Sequence, residues 1–284
     1  MERLQINTCT PKLLNDWIEY FIFFNGNGLF HSNIYAQPYA YILFNHNHSL
    51  EISYQDKKLN TKKSLIEPIT LSPFVVKAKL EVGCNIFGAK VKSSFLYLLT
   101  GIPLNLLTGN IFNIDEIFKD DVNELLEKIN SVPTISEKAM ITENYFLMKI
   151  KSFQENTLSD NYNAMKYLTN NFYSIFNIDQ LIEKLNVSHR TLDRHFLKYT
   201  GVSPKSMLSL IRFNKTIEYA TKYRSFTLET LWNFGYYDYA HFSKDFKKYY
   251  GQTFESFKQE NKIGENIQVS NQKTKILLPE ILIY

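Results

Sequence analysis

The chain repeats itself. The segment from Gly235 to Lys258, GYYDYAHFSKDFKKYYGQTFESFK, matches a stretch fifty positions earlier. With that shift Phe246, Lys248, Tyr249, Gly251 and Ser256 fall on Phe196, Lys198, Tyr199, Gly201 and Ser206. Phe242 falls on Leu192 and Lys244 on Arg194. In each copy the apolar residues recur at helical spacing and the basic ones stand on the other side, so each copy must fold as a helix with its back against a core. A unit that occurs twice, with one basic face, suits a periodic target, and duplex DNA is the obvious candidate.

Charge follows the same division. Residues 1–160 hold 15 Lys and Arg against 17 Asp and Glu, whereas residues 161–262 hold 15 against 9. All of the net charge of +4 therefore comes from the segment that carries the repeat. That is the electrostatic footprint of a nucleic-acid module, and equally that of a solvated basic face. At 284 residues there is room for two domains. No apolar run has the roughly 18–20 residues that span a bilayer, and the N-terminus lacks the apolar core of a signal peptide. The two cysteines, Cys9 and Cys84, make no disulfide framework and read as reduced cytosolic thiols.

The expected fold class is α+β. From about residue 18 to 98 the chain reads as strands: WIEYFIFF, YAYILFN, SLEISY, SLIEPITL, FVVKAKLEV and NIFGAKVK. They follow one another without helices between them, which predicts a cupin-like antiparallel barrel or sandwich. After Pro103 the period changes. Asp115–Ile129 places Ile117, Phe118, Val122, Leu125, Leu126 and Ile129 on one helical face, and Ser136–Phe153 makes a second helix with Ser136 as its N-cap. Gln154–Asp160 reads as a hinge, and everything after Asn161 as helix. The expected domains are a β-rich sensor or dimerisation-like domain over 1–155, a DNA-binding domain over 162–260 and a tail over 263–284. The tail ends in LLPEILIY, which could fold back on the body, add a strand or meet a partner.

Within the repeat, Ile178–Leu185 predicts a short helix, Asn186–Val187 a tight turn and Ser188 an N-cap for a second helix from His189 to about Thr200. Leu192, Phe196 and Tyr199 share the buried side of that helix, with Arg190 and Arg194 nearly opposite. Such a helix can enter a major groove, where arginine bonds bidentately to guanine. Either arginine alone would read as an ordinary solvated residue; the repetition argues otherwise. In the second unit Asp238 caps, and Phe242, Phe246 and Tyr249 form the back. Ala240 and Lys244 take the places of Arg190 and Arg194, flanked by Tyr239 and His241, while Lys247 and Lys248 lie near the groove edge. Its turn, Gly235–Tyr236–Tyr237, is one residue longer. A helix from Pro204 to about Arg224 joins the units, with Met207, Leu210, Phe213, Ile217 and Ala220 buried. Twenty residues span about 30 Å, close to one DNA turn of about 34 Å. His195 reads as structural, His241 as a DNA contact or a packing residue, and Tyr199 and Tyr249 as core.

Residues 162–259 resemble the DNA-binding domain of the AraC/XylS family of transcription regulators. The resemblance rests on Ser188, Leu192, Arg194, Phe196, Gly201, Ser203, Pro204 and Arg212, then on Gly235, Tyr236, Asp238, His241, Phe242, Ser243, Lys244, Phe246, Lys247, Gly251 and Thr253. It implies a seven-helix unit that reads DNA through two helices, with base contacts at Arg190, Arg194, Tyr239, Ala240 and Lys244. Ser188, His189, Thr191, His241, Lys247 and Lys248 are the accompanying phosphate and flanking candidates. The chain departs from the family pattern at Ile182 and Leu231, where alanine is usual, at Phe254, where proline is usual, and at Lys258, where arginine is usual. Ala240 has no hydrogen-bonding side chain, so the second helix reads a thymine methyl or little at all. From about Trp17 to Ser152 the chain resembles a sensor-like domain of unknown ligand found joined to this reader, through FGAKVKSSFLYLLTGIP, LLTGNIFNIDEIF and the Leu125–Ile129 helix. The aromatics Trp17, Tyr20, Phe21, Tyr39, Tyr41 and Phe44 read as core or as the lining of an apolar or sugar pocket.

His46, Asn47 and His48 with Glu51 are a partial metal-ligand pattern, since two histidines flanking one residue point to one face of a strand. Only His31 precedes them, so the stretch reads as a polar turn between strands. No catalytic constellation and no Gly-rich phosphate loop is present in the sequence. The reading is a cytoplasmic, sequence-specific transcription regulator that is not an enzyme and needs no cofactor. Double-stranded DNA is its partner; RNA polymerase, a small-molecule effector and a second copy of the chain are further candidates, and no membrane is expected. Activation is the working direction, although no residue encodes it over repression. The alternatives are a cupin-like metal- or sugar-binding enzyme with a basic helical tail, and a non-specific architectural DNA binder.

Overall fold

The computed structural model describes residues 5–45, 48–54, 57–118, 122–156, 178–223, 226–261 and 281–283. The aromatic and β-branched runs of the first half build one antiparallel nine-stranded sheet. Its main path runs β1 (Gln5–Cys9), β2 (Ile18–Ile34), β7 (Phe74–Lys92), β3 (Tyr39–Asn45), β6 (Leu65–Glu67) and β8 (Phe112–Asn113). β4 (Leu50–Tyr54) continues the line of β3 along the first half of β7 and carries β5 (Lys57–Thr61) on its outside.

The register between β2 and β7 shifts between Gly26 and Gly28, and this irregularity bends both long strands at one level. The sheet is thereby divided into two halves. A cluster of Leu50, Ile52, Tyr54 and Phe74 from one half and Leu65 and Ile86 from the other fills the space between them, so the halves face each other as in a barrel or sandwich. The alternate side chains, Phe21, Phe23, Ala40, Ile42, Phe44, Phe87, Ala89 and Val91, point to the opposite face and belong to the larger core.

That larger core is closed by α1 (Ser93–Thr100), α2 (Ile114–Phe118), α3 (Val122–Ser131) and α4 (Ile135–Asn156). The α4 carboxylate of Glu143 accepts the backbone N–H groups of Lys12, Leu13 and Leu14 at 2.8–3.0 Å, fastening the N-terminal segment to the helix.

Several expectations change. The strands end at Lys92, not at 98: Ser93–Leu99 are all buried, and a helix lets this apolar run bury its whole circumference. FVVKAKLEV and NIFGAKVK are parts of one strand, SLIEPITL contributes three strand residues only, and β1, β5 and β8 have no counterpart in the reading. The N-cap of α4 is Thr134, not Ser136. The Thr134 hydroxyl accepts the Glu137 N–H at 3.2 Å while the Glu137 carboxylate accepts the Thr134 N–H at 3.2 Å, a reciprocal pair that starts the helix earlier. Asp115–Ile129 is divided between α2 and α3. Gln154–Asn156 of the expected hinge continue α4, and residues 157–177 lie outside the described residues, as do His46, Asn47 and Arg224. The tail adds a strand: β9 (Ile281–Ile283) pairs with Phe30–Ser32 of β2.

The C-terminal half is helical: α5 (Ile178–Leu185), α6 (His189–Thr200), α7 (Pro204–Tyr223), α8 (Leu228–Asn233), α9 (Tyr239–Tyr250) and α10 (Phe254–Asn261). Its core is continuous with that of the first half. The two halves meet at corresponding points of the repeat. At the end of α6, the Tyr199 ring lies 5.0 Å from Tyr97 and the Thr108 hydroxyl donates to the Gly201 carbonyl at 3.0 Å. At the end of α9, the Ala36 N–H donates to the Tyr249 carbonyl at 2.9 Å and Tyr250 stacks on Tyr35 at 5.5 Å. Asn214 of α7 adds a bond to the Ala36 carbonyl at 3.0 Å.

Candidate nucleic-acid interface

Each unit is a short helix, a turn and a capped second helix. Leu181 and Leu231 anchor the first helices, each 0% exposed; of the two positions where the family usually has alanine, Leu231 is buried and Ile182 is partly buried against the same core. In the first unit Asn186 turns the chain at φ 48°. The Ser188 hydroxyl then accepts the Thr191 N–H at 3.1 Å, with the two hydroxyls 3.0 Å apart. In the second, Gly235 turns the chain at φ 80° and the Asp238 carboxylate accepts the His241 N–H at 2.7 Å. A carboxylate here also meets the positive end of the helix dipole. Both second helices stop at a left-handed glycine, Gly201 and Gly251. The helices that follow are capped alike, Ser203 accepting the Ser206 N–H and Thr253 the Ser256 N–H, each at 3.2 Å.

The backs of α6 and α9 are buried as the periodicity requires: Leu192, Phe196 and Tyr199, then Phe242, Phe246 and Tyr249, are each at most 2% exposed. Arg190, Arg194, Ala240 and Lys244 are exposed on the opposite sides. Ser188 is occupied as a cap, Thr191 is partly buried beside it, and His189 is exposed with Nε2 3.9 Å from the Asp179 carboxylate. His241 is partly buried, with its ring edge-on to Tyr236 at 5.2 Å. Tyr239 is 39% exposed, and its hydroxyl donates to Glu255 at 2.9 Å. Burial, reinforced by that carboxylate, pushes its phenol up to about 12. Lys247 is exposed. Lys248 is drawn back over the Tyr249 ring, 4.5 Å from its centre, and bonds its hydroxyl at 3.1 Å. His195 lies 5.6 Å from Tyr199, and burial, with Arg194 and Lys198 adding to it, holds its imidazole below the usual value.

Three features escaped the sequence reading. Arg212 of α7 donates to the Gly235 carbonyl at 2.6 Å and lies 4.9 Å from the Tyr236 ring, fixing the second turn. Tyr237 in that turn is 86% exposed. The third lies on the sheet. Cross-strand register aligns Tyr20, Lys90, Tyr41 and Glu67 across β2, β7, β3 and β6, on the face that carries the apolar cluster between the sheet halves. The Lys90 ammonium lies 4.1 Å from the Tyr39 ring, 5.4 Å from Tyr20 and 5.9 Å from Tyr41. Burial lowers it to about 8, partly offset by the charges of Glu19 and of Glu218 on α7. Burial also raises Glu67 to about 8. No local motif joins these residues, because four strands contribute them.

Of the partial metal pattern, His48 is held by the Asn45 side chain, which accepts its N–H at 3.2 Å and donates to its carbonyl at 2.7 Å. No helix among the described residues is long and apolar enough to cross a membrane.

Residues 181–260 match the family model described as a helix-turn-helix domain, and this C-terminal region is of the AraC type. No curated protein matches the chain. Among solved structures, ToxT from Vibrio cholerae overlays with a TM-score of 0.42 at 11% identity, over 93% of this chain and 99% of that one. Unsaturated fatty acid bound wild-type ToxT from Vibrio cholerae gives 0.41 at 12%, over 94% and 98%. The AraC-like transcriptional activator CuxR gives 0.36 at 12%, over 76% and 81%.

Proposed function

We propose that this chain, with an AraC-type helix-turn-helix domain in its C-terminal region, is a sequence-specific transcription regulator that reads two successive major grooves under control of its N-terminal domain. The helix-turn-helix domain supports a DNA-binding transcription regulator. The observation that carries the finer reading is the pair of capped helices fifty residues apart, each buried behind and polar in front, with Arg190 and Arg194 free to meet base edges on one and Lys244 on the other. The 20-residue α7 between them spans about 30 Å. Lys247, Ser188, His189, Thr191 and His241 surround these helices and would set register on phosphates.

The proposed effector site is the Lys90 cluster. A desolvated ammonium among three tyrosines, at one end of an apolar sheet face, suits a small anion with an apolar body. The Glu218 carboxylate on α7 acts on the same ammonium, so a ligand there would bear directly on the reader. Besides DNA, this reading takes RNA polymerase and a second copy of the chain as partners, and the cytoplasm as its place.

Fluorescence anisotropy tests it. The full chain is titrated with the promoter duplex nearest its own gene against scrambled duplex, with Arg194→Ala in parallel at fixed salt. A regulator prefers the promoter, and Arg194→Ala reduces that preference by about 1–3 kcal/mol. Equal binding to both duplexes would favour an architectural binder with the usual steep salt dependence.

A further inference from the structure

The two units differ at the residue before the N-cap. In the first, Val187 precedes Ser188 and is partly buried against the core cluster that contains Leu192, which is 1% exposed. This is the apolar pair, one residue before the cap and one four after it, that usually fixes how a chain enters a helix. In the second unit the corresponding residue is Tyr237, and the buried partner is Phe242. Phe242 is already covered by Tyr236, whose ring lies 5.3 Å away. Tyr237 therefore has no apolar seat and stands 86% exposed, the most exposed of the large hydrophobic side chains among the described residues.

The backbone on either side of Tyr237 is nevertheless held. Arg212 bonds the Gly235 carbonyl at 2.6 Å, the Tyr236 N–H donates to the Leu231 carbonyl at 2.9 Å, and Asp238 caps α9 at 2.7 Å. An exposed aromatic on a fixed turn loses little further backbone freedom on binding. Its position matters too. It adjoins the end of the reading helix at which Ala240 replaces Arg190, so the second unit lacks a cation where the first presents one.

We propose that Tyr237 is a specificity-determining DNA contact, its ring packing on a thymine methyl in the half-site read by the second unit. It would supply by apolar contact what Arg190 supplies by hydrogen bonding in the first unit. The proposal rests on the regulator reading above.

The test uses the full chain and a duplex that it selects from a random-sequence pool, at fixed salt. Tyr237→Ala weakens binding about five- to tenfold, Tyr237→Phe changes it less than about twofold, and the salt dependence stays that of the wild type. Replacing thymine by uracil through the second half-site, which removes only methyl groups, weakens the wild type more than it weakens Tyr237→Ala, whereas equal weakening of both would overturn the proposal. Tyr237→Ala binding like wild type, while Arg194→Ala binds weakly, would overturn the proposal and leave the regulator reading intact. Equal weakening in Tyr237→Phe and Tyr237→Ala would also overturn it, in favour of a hydroxyl–phosphate bond. Selection of no sequence by the wild type would overturn the regulator reading and this proposal together.

Discussion

The two helix-turn-helix units share one plan and are finished differently. Both have a buried apolar back, a side-chain cap, a left-handed glycine at the end and a capped helix beyond. The first presents two arginines and caps with a neutral hydroxyl; the second presents alanine and lysine and caps with a carboxylate. Their attachments to the β-rich half differ as well. The first is held through side chains, Thr108 to the Gly201 carbonyl and Tyr97 against Tyr199. The second is held by a backbone bond from Ala36 to the Tyr249 carbonyl, with Tyr35 and Tyr250 stacked beside it. Repetition thus preserves what the fold needs, whereas the exposed faces of the second helices and their contacts with the β-rich half differ.

The glycine pair breaks or sharpens this comparison most strongly. Gly201 has φ 86°, and a Cβ there would come within 2.0 Å of the Thr108 hydroxyl and 3.1 Å of the Leu104 carbonyl. Gly251 has φ 93°, and its Cβ would meet only Pro73, at 2.9 Å. Left-handed backbone costs alanine about 1–2 kcal/mol at either place. Gly201→Ala should therefore lower the unfolding midpoint by about 6–10 °C and Gly251→Ala by roughly half of that in thermal melts. Equal losses would mean that the two attachments are equivalent.

Next come the reading residues. Arg194→Ala should cost about 1–3 kcal/mol in DNA binding and Lys244→Ala about 1 kcal/mol, because a lysine is a point charge and an arginine a two-pronged donor. Equal costs in anisotropy titrations would remove the asymmetry between the units. The caps follow: Asp238→Ala should destabilise by about 1–2 kcal/mol and Ser188→Ala by about 0.5–1 kcal/mol, since only the carboxylate adds a charge–dipole contribution. Raising the salt in the melts should narrow the gap. The smallest effect is expected from Tyr239→Phe. It deletes one exposed bond to Glu255 and should shift DNA affinity less than about twofold; a larger loss would give the Tyr239 hydroxyl a direct contact with DNA.

The helix-turn-helix domain is legible almost residue by residue. Ser188, Asp238, Gly201, Gly251 and the two apolar backs act locally, through helical period and capping chemistry that short stretches encode. The β-rich half is legible as a class only. Strand existence showed in aromatic and β-branched runs, but FVVKAKLEV and NIFGAKVK form one strand because each half of β7 finds a different neighbour, β4 and then β3. Short or polar strands such as β5 carry no apolar signature, since one face is open to water. Ser93–Leu98 follow a run of strands and read with them; the burial of Ser93–Leu99 on all sides makes a helix the better solution.

By itself, then, the sequence determined that there are two capped helix-turn-helix units, which side of each reading helix is buried and which is polar, and that a β-rich body precedes them. These are consequences of spacing within a dozen residues. Only the tertiary structure decided that the ends of both second helices dock on the β-rich half, that Lys90 gathers tyrosines from two neighbouring strands, that the tail pairs with β2 and that Tyr237 stays outside while its counterpart Val187 is partly buried against the core. Each of these depends on residues far apart in the chain meeting across a sheet or a domain boundary. Their order along the sequence carries no trace of that meeting.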